Sequence, residues 1–270
     1  MRKIFAVIIA LCLCVTGAYA TTESLTIDGS QGKLSAVIQK PELNAGEKCR
    51  IVMILHGFTG NKNEKLLTAI ADALESHGVA SIRFDFNGHG QSEGSFTDMT
   101  VLNEIEDAKK VYDYVKGLEY VDSVSVAGHS QGGVVTGMLA GELGAEKIHS
   151  IVLLAPAAVL RDDAIRGSVF GVTFDAENPP ESVQLFGNYS MGREYVLTAQ
   201  TLQIYPTSEK FTGAVCLIHG TADRIVPYTY SENYHRLYKN SELNLIQGAD
   251  HGFTGFEGIA AKMAADFLMK

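Results

Sequence analysis

V-D-S-V-S-V-A-G-H-S-Q-G-G, residues 121–133, is the stretch on which the fold turns. Val121 to Ala127 reads as a short buried strand, and Gln131 to Leu143 as a helix. Between them, Gly128-His129-Ser130-Gln131-Gly132 fits G-x-S-x-G, and Gly133 follows. The pentapeptide alone arises by chance, and a plain glycine-rich turn would also contain it. Strand before and helix after make it a nucleophile elbow, in which a tight turn lifts the serine hydroxyl above the sheet. The flanking glycines let neighbouring backbone come close.

Outward from the elbow, strands and helices alternate, which predicts a mostly parallel sheet covered on both faces. Residues 23–28 and 33–39 form an opening antiparallel pair, followed by a buried strand from Arg50 to Leu55. Asn63 is placed to cap a helix from Glu64 to Ser76, whose apolar residues recur at helical spacing. A strand at 79–84, a helix at 101–117, and strands at 148–154 and 214–219 come next. A helix at 230–238, a strand at 243–246 and a helix from Phe256 end the series. Nearly sixty residues separate the strand ending at Leu154 from the one beginning at Ala214. That is too long for a bare loop. Residues 157–208 are therefore expected to be a cap inserted over the carboxyl ends of the strands, where ligands of such sheets bind. No internal repeat or low-complexity tract is present.

A serine hydroxyl needs a base to take its proton, and the base needs an orienting carboxylate. On a sheet of this kind they follow in the order Ser, Asp or Glu, His. The strand at 214–219 runs into Gly220-Thr221-Ala222-Asp223, and the last strand into Gln247-Gly248-Ala249-Asp250-His251. Ser130, Asp223 and His251 are thus the candidate catalytic residues, with Asp250 an alternative to Asp223. His56, His129 and His219 flank strand ends and read as structural. His77, His89, His149 and His235 fall in expected surface helices or turns. The oxyanion of an acyl-transfer intermediate needs two donors. These are the backbone N–H of Gln131, after the nucleophile, and that of Phe58 in His56-Gly57-Phe58-Thr59-Gly60. The glycine-rich segment from Arg83 to Ser92 lacks phosphate-loop spacing and reads as a structural loop.

Composition narrows the setting. The chain has 270 residues, 46% hydrophobic and 20% charged, which suits a globular domain and not a disordered one. Arg2 and Lys3, the apolar run Ile4 to Val15 and Ala18-Tyr19-Ala20 read as a secretory signal peptide cut after Ala20. The domain is then 21–270, in the periplasm or outside the cell, with no stable membrane association after cleavage. Losing two basic residues takes the formal net charge from −9 to −11. That disfavours nucleic acid as partner. Cys49 and Cys216 remain, on different expected strands, and read as small core residues. No metal-ligand spacing occurs, and no cofactor is implied.

Together these residues resemble the α/β-hydrolase superfamily and, within it, bacterial cinnamoyl (feruloyl) esterases. The likeness rests on H-G-F-T-G at 56–60, R-F-D-F-N-G-H-G-Q-S at 83–92, G-H-S-Q-G-G at 128–133, H-G-T-A-D at 219–223 and D-H-G-F at 250–253. Inside the expected cap it includes Asp163-Ala164, Gly171-Val172-Thr173-Phe174 and Tyr195. The resemblance implies an α/β-hydrolase fold with a small cap over an acyl pocket. It also implies that an aspartate and a tyrosine, here Asp163 and Tyr195, bind the ring hydroxyl of a phenolic acid. Asp162, next in sequence, could replace Asp163. Such esterases often carry a glutamine near Phe170, and an aromatic there makes the pocket more apolar. The implied activity is a serine esterase acting on hydroxycinnamate esters of plant cell-wall sugars. The same motifs also suit a short-chain carboxylesterase, a lipase-like enzyme or a serine aminopeptidase.

Overall fold

The computed structural model describes residues 21–270; the signal-peptide reading of residues 1–20 lies outside them. Eight strands form one sheet: β1 (Thr21–Asp28), β2 (Lys33–Lys40), β3 (Cys49–Leu55), β4 (Ala80–Phe84), β5 (Val121–His129), β6 (Ser150–Leu154), β11 (Ala214–Gly220) and β12 (Ser241–Ile246). Their spatial order is β1-β2-β4-β3-β5-β6-β11-β12. β2 pairs antiparallel with both of its neighbours, and the pairs from β4 to β12 are all parallel. The expected mostly parallel sheet is what the chain forms.

Strand periodicity assigns the two faces. On β3, Ile51, Met53 and Leu55 face one core cluster, while Val52 and Ile54 face the other. β6 divides the same way, with Ile151 and Leu153 against Val152 and Leu154. One face is covered by α2 (Val101–Lys116) and α3 (Gln131–Leu143), the other by α1 (Lys65–Glu75) and α8 (Glu257–Leu268). Helix α3 is buried from Gln131 to Ala140, so it carries no amphipathic signature. Helix α7 (Thr229–Leu237) connects β11 to β12. Cys49 and Cys216 are buried and unpaired, on strands separated by β5 and β6.

Between β6 and β11 lie α4 (Val159–Arg166), the two-residue strands β7 (Ser168–Val169) and β8 (Val172–Thr173), β9 (Ser182–Gln184), β10 (Ser190–Gly192), α5 (Arg193–Thr201) and α6 (Ile204–Ser208). β7 with β8 and β9 with β10 make two small antiparallel hairpins. The first hairpin turns through Phe170 (φ 50°) and Gly171 (φ 81°). An aromatic residue at positive φ stores strain that the surroundings must hold.

Two expectations need correction. Glu64, not Asn63, stands at the N-cap of α1, and its side chain makes no cap hydrogen bond. Asn63 is instead taken up in a turn, where its N–H donates to Asn61 Oδ1 at 3.0 Å. His89 is buried, not on the surface, because the loop after β4 folds inward around Asp85. The Asp85 carboxylate accepts from Lys62 Nζ at 2.6 Å, from Lys62 N at 2.7 Å and from Gln91 N at 2.8 Å. Lys62 and Asp85 are 3% and 1% exposed. This buried pair ties the loop after β3 to the loop after β4. Lys62→Met strands the carboxylate and should cost about 3–5 kcal/mol of stability, read by urea unfolding. A loss below about 1 kcal/mol would contradict it.

Candidate active site

Strand β5 runs to His129, so Ser130 follows it directly, with φ 56° and ψ −121°. The turn is possible because its neighbours lack side chains. A Cβ on Gly128 would lie 2.1 Å from Gly132 O, and one on Gly132 would lie 2.3 Å from His56 O. Ser130 N–H donates to Leu154 O at 2.9 Å, which pins the elbow to β6.

Ser130, His251 and Asp223 come together from three loops at the carboxyl ends of β5, β12 and β11. His251 Nε2 lies 2.9 Å from Ser130 Oγ, and His251 Nδ1 lies 2.7 Å from Asp223 Oδ2. A carboxylate only accepts, so Nδ1 carries the hydrogen and Nε2 faces the serine as acceptor. Asp223 Oδ1 accepts from Ile225 N and Val226 N, each at 2.8 Å. His219 Nε2, 3.0 Å from Asp223 Oδ2, supplies a further donor. Burial would raise the Asp223 pKa. Hydrogen bonds from His219 and His251 outweigh it and hold the carboxyl well below the usual range. Asp250 is exposed and accepts from Thr254 N at 2.8 Å. The structure therefore brings Asp223, and not Asp250, to His251.

His219, His129 and His56 read from the sequence as structural residues, and in the fold each has a definite task. His219 joins Asp223 to Ser231 Oγ, 2.7 Å from its Nδ1. His129 Nε2 is 2.8 Å from His251 O and holds that loop. His56 Nδ1 is 2.8 Å from Gly57 O, and its Nε2 accepts from Phe86 N at 3.0 Å. Burial pushes His56 and His129 down to about 3 and His89 to about 4. Below pH 6.5 the unfolded chain protonates these histidines first, so their contribution to stability is complete above that pH and falls as pH drops toward 3. Urea unfolding at pH 7 and pH 5 should show a loss on the order of 1 kcal/mol per pH unit for each histidine. Equal stability at the two values would contradict it.

Gly57 passes so close that a Cβ there would lie 2.8 Å from Ser130 Cβ. Among the described residues, neither Phe58 N–H nor Gln131 N–H donates to a turn or loop carbonyl or to a side chain. Gln131 N–H sits at the first turn of α3, where a helix presents free donors and positive potential.

A cavity of about 510 Å³ opens above Ser130 and His251 and includes Phe58, Gln131, Asp163 and Tyr195 in its wall. Asp163 and Tyr195, the two cap residues singled out by the resemblance, thus share one cavity with Ser130. Asp163 pairs with Arg166, and burial raises its pKa against that cation. Asp162 is occupied elsewhere, accepting from Tyr230 Oη at 2.6 Å. Tyr195 is buried and donates to Gln131 Oε1 at 2.7 Å. The wall is aromatic, with ring centroids of Phe58 and Tyr195 5.5 Å apart, Phe58 and Phe170 5.7 Å, and Phe170 and Phe186 5.5 Å. Among the described residues, no group of three or more His, Cys, Asp or Glu could hold a metal ion.

The family described as serine aminopeptidase, S33 matches residues 46–173. The solved structure of Est1E from Butyrivibrio proteoclasticus with ferulic acid bound is 33% identical. It covers 91% of this chain and 98% of that one, with a TM-score of 0.86. A second Est1E structure from the same organism is 31% identical over 91% and 97%, with a TM-score of 0.82. The mitochondrial palmitoyl-protein thioesterase ABHD10 of Rattus norvegicus is 24% identical over 66% of this chain and 60% of that protein.

Proposed function

This chain belongs to the α/β-hydrolase superfamily, and from that premise we propose that it is an exported serine esterase releasing hydroxycinnamates such as ferulate or p-coumarate from plant cell-wall carbohydrate. The observation that carries the reading is a single cavity holding both the Ser130–His251–Asp223 hydrogen-bond chain and the Asp163–Tyr195 end. The likeness to Est1E, a protein solved with ferulic acid bound, supports the acyl group.

The chemistry runs in two halves. Ser130 Oγ attacks the ester carbonyl carbon while His251 Nε2 takes the hydroxyl proton. Negative charge gathers on the carbonyl oxygen, where the N–H groups of Phe58 and Gln131 receive it. As the tetrahedral intermediate collapses, the bond to the sugar oxygen breaks and His251 returns the proton to that oxygen. Water then attacks the acyl-serine with His251 again as base, the bond from Ser130 Oγ to the acyl carbon breaks, His251 returns the proton to Oγ, and the free acid leaves. Asp223 keeps the imidazole in the productive tautomer throughout.

The acyl assignment is tested by Asp163→Ala. Turnover of methyl ferulate should fall about 10-fold or more, the worth of a hydrogen bond to a charged group, while p-nitrophenyl butyrate is affected less than about 2-fold. Equal losses on both would sink the pocket assignment. The S33 match favours a second reading, a serine aminopeptidase or general carboxylesterase on the same framework. A panel of methyl ferulate, p-nitrophenyl butyrate and aminoacyl amides separates them, since the esterase reading requires the highest kcat/KM on ferulate.

A further inference from the structure

Three side chains from three helices form a hydrogen-bonded line beneath the acyl end of the cavity. Glu104 on α2 is 1% exposed. Its Oε2 accepts from Gln131 Nε2 at 2.9 Å, and its Oε1 has no partner among the described residues. Gln131 on α3 in turn accepts from Tyr195 Oη, on α5, at 2.7 Å. The second hydrogen of the Gln131 amide faces Met99 Sδ at 3.5 Å. Turning the amide round would set its carbonyl oxygen against that sulfur with no hydrogen between them.

A tyrosine has one hydroxyl hydrogen. Tyr195 spends its own on Gln131, so it offers the cavity only lone pairs. Asp163, the other polar group at that end, is a carboxyl whose ionised form also only accepts. We propose that Glu104 is a positioning residue: by accepting from Gln131 it fixes the amide, and through it Tyr195, so that the acyl end takes ring substituents that donate a hydrogen bond. A free ring hydroxyl satisfies this polarity, and the corresponding methyl ether does not. Burial first, and neighbouring Asp107 next, raise the Glu104 pKa well above the usual range, and a neutral acid still accepts through its carbonyl oxygen. The inference rests on the esterase reading above.

Removing the Glu104 acceptor frees the Gln131 amide to turn its Nε2 toward Tyr195 Oη. The tyrosine hydrogen then points into the cavity, where an ether oxygen can receive it. The measurement is kcat/KM of the full chain on methyl p-coumarate, methyl 4-methoxycinnamate and methyl cinnamate. The unsubstituted-protein preference for hydroxyl over methoxy should be about 10-fold or more, the worth of one hydrogen bond left unmade. Glu104→Leu should bring it within about 3-fold, and Glu104→Gln, which keeps a carbonyl oxygen facing Gln131, should retain it. A purely structural role would lower all three esters alike and leave the ratio unchanged, as would discrimination by bulk alone; either result overturns the proposal. If Glu104→Leu does not fold, Tyr195→Phe decides: the preference must fall, and a preserved ratio refutes the idea. If the starting protein turns over none of the three esters, it is the esterase reading that fails.

Discussion

Ser130→Ala should lower turnover of methyl ferulate and p-nitrophenyl butyrate together by roughly 10⁴- to 10⁶-fold, the range for loss of a serine nucleophile. The argument is geometric. Among the described residues, Ser130 Oγ is the hydroxyl hydrogen-bonded to His251 Nε2, 2.9 Å away. Without it no acyl-enzyme forms, and water must attack unaided in a site shaped for a side chain. Folding should be little affected, because alanine meets the same positive φ as the serine it replaces. Labelling by a fluorophosphonate should disappear with activity. Turnover within 10-fold of the starting protein, with labelling intact, would remove Ser130 from the mechanism and with it the whole reading of the elbow.

Asp223→Asn should reduce kcat by about 10⁴-fold while leaving side-chain volume almost unchanged. Asp223 Oδ2 faces two ring nitrogens, His251 Nδ1 and His219 Nε2. An asparagine can offer its amide oxygen to one side only while Oδ1 must still serve Ile225 N and Val226 N. If the NH₂ group turns to His251, that ring must move its hydrogen to Nε2, and Ser130 Oγ loses its base. The change also leaves a buried donor facing a donor, so unfolding in urea should come earlier by about 1–3 kcal/mol. Asp250→Asn is the control, since its carboxylate serves only the Thr254 turn. If Asp250→Asn suffers the larger loss, the orienting role belongs to the wrong aspartate.

Much of this arrangement was legible in the residues because strong local rules act there. Alternation on β3 and β6 marks two covered faces, and the glycines around Ser130 answer clashes with backbone that no side chain could avoid. The order of Ser130, Asp223 and His251 follows from strand ends. What was hidden depends on partners far away in sequence. His89 looks like a turn residue until the loop carrying Asp85 folds around Lys62, 23 positions earlier. Glu104 is a charged residue at the spacing of Ala108 and Val111, on the inner face of α2, and only the distant Gln131 accounts for it there. The hairpins β7–β8 and β9–β10 are two or three residues per strand, too short for a period to register. Phe170 at φ 50° contradicts its own propensity; the two-residue turn between β7 and β8 demands that angle, and the rings of Phe58 and Phe186 pack against it.

The segment between β6 and β11 enters and leaves the sheet at adjacent strands, while hydroxyl, imidazole and carboxylate are all supplied from outside it. The segment thus supplies Asp163, Phe170, Phe186 and Tyr195 to the cavity wall as one contiguous piece, while the reacting groups flank it in sequence. On the esterase reading proposed above, a shuffled gene that exchanges this one segment should alter ester preference while leaving Ser130, Asp223 and His251 in place. The graft has a short docking specification: it must present rings to Phe58, as Tyr195 and Phe170 do, and a hydrogen-bond partner to the Gln131 amide.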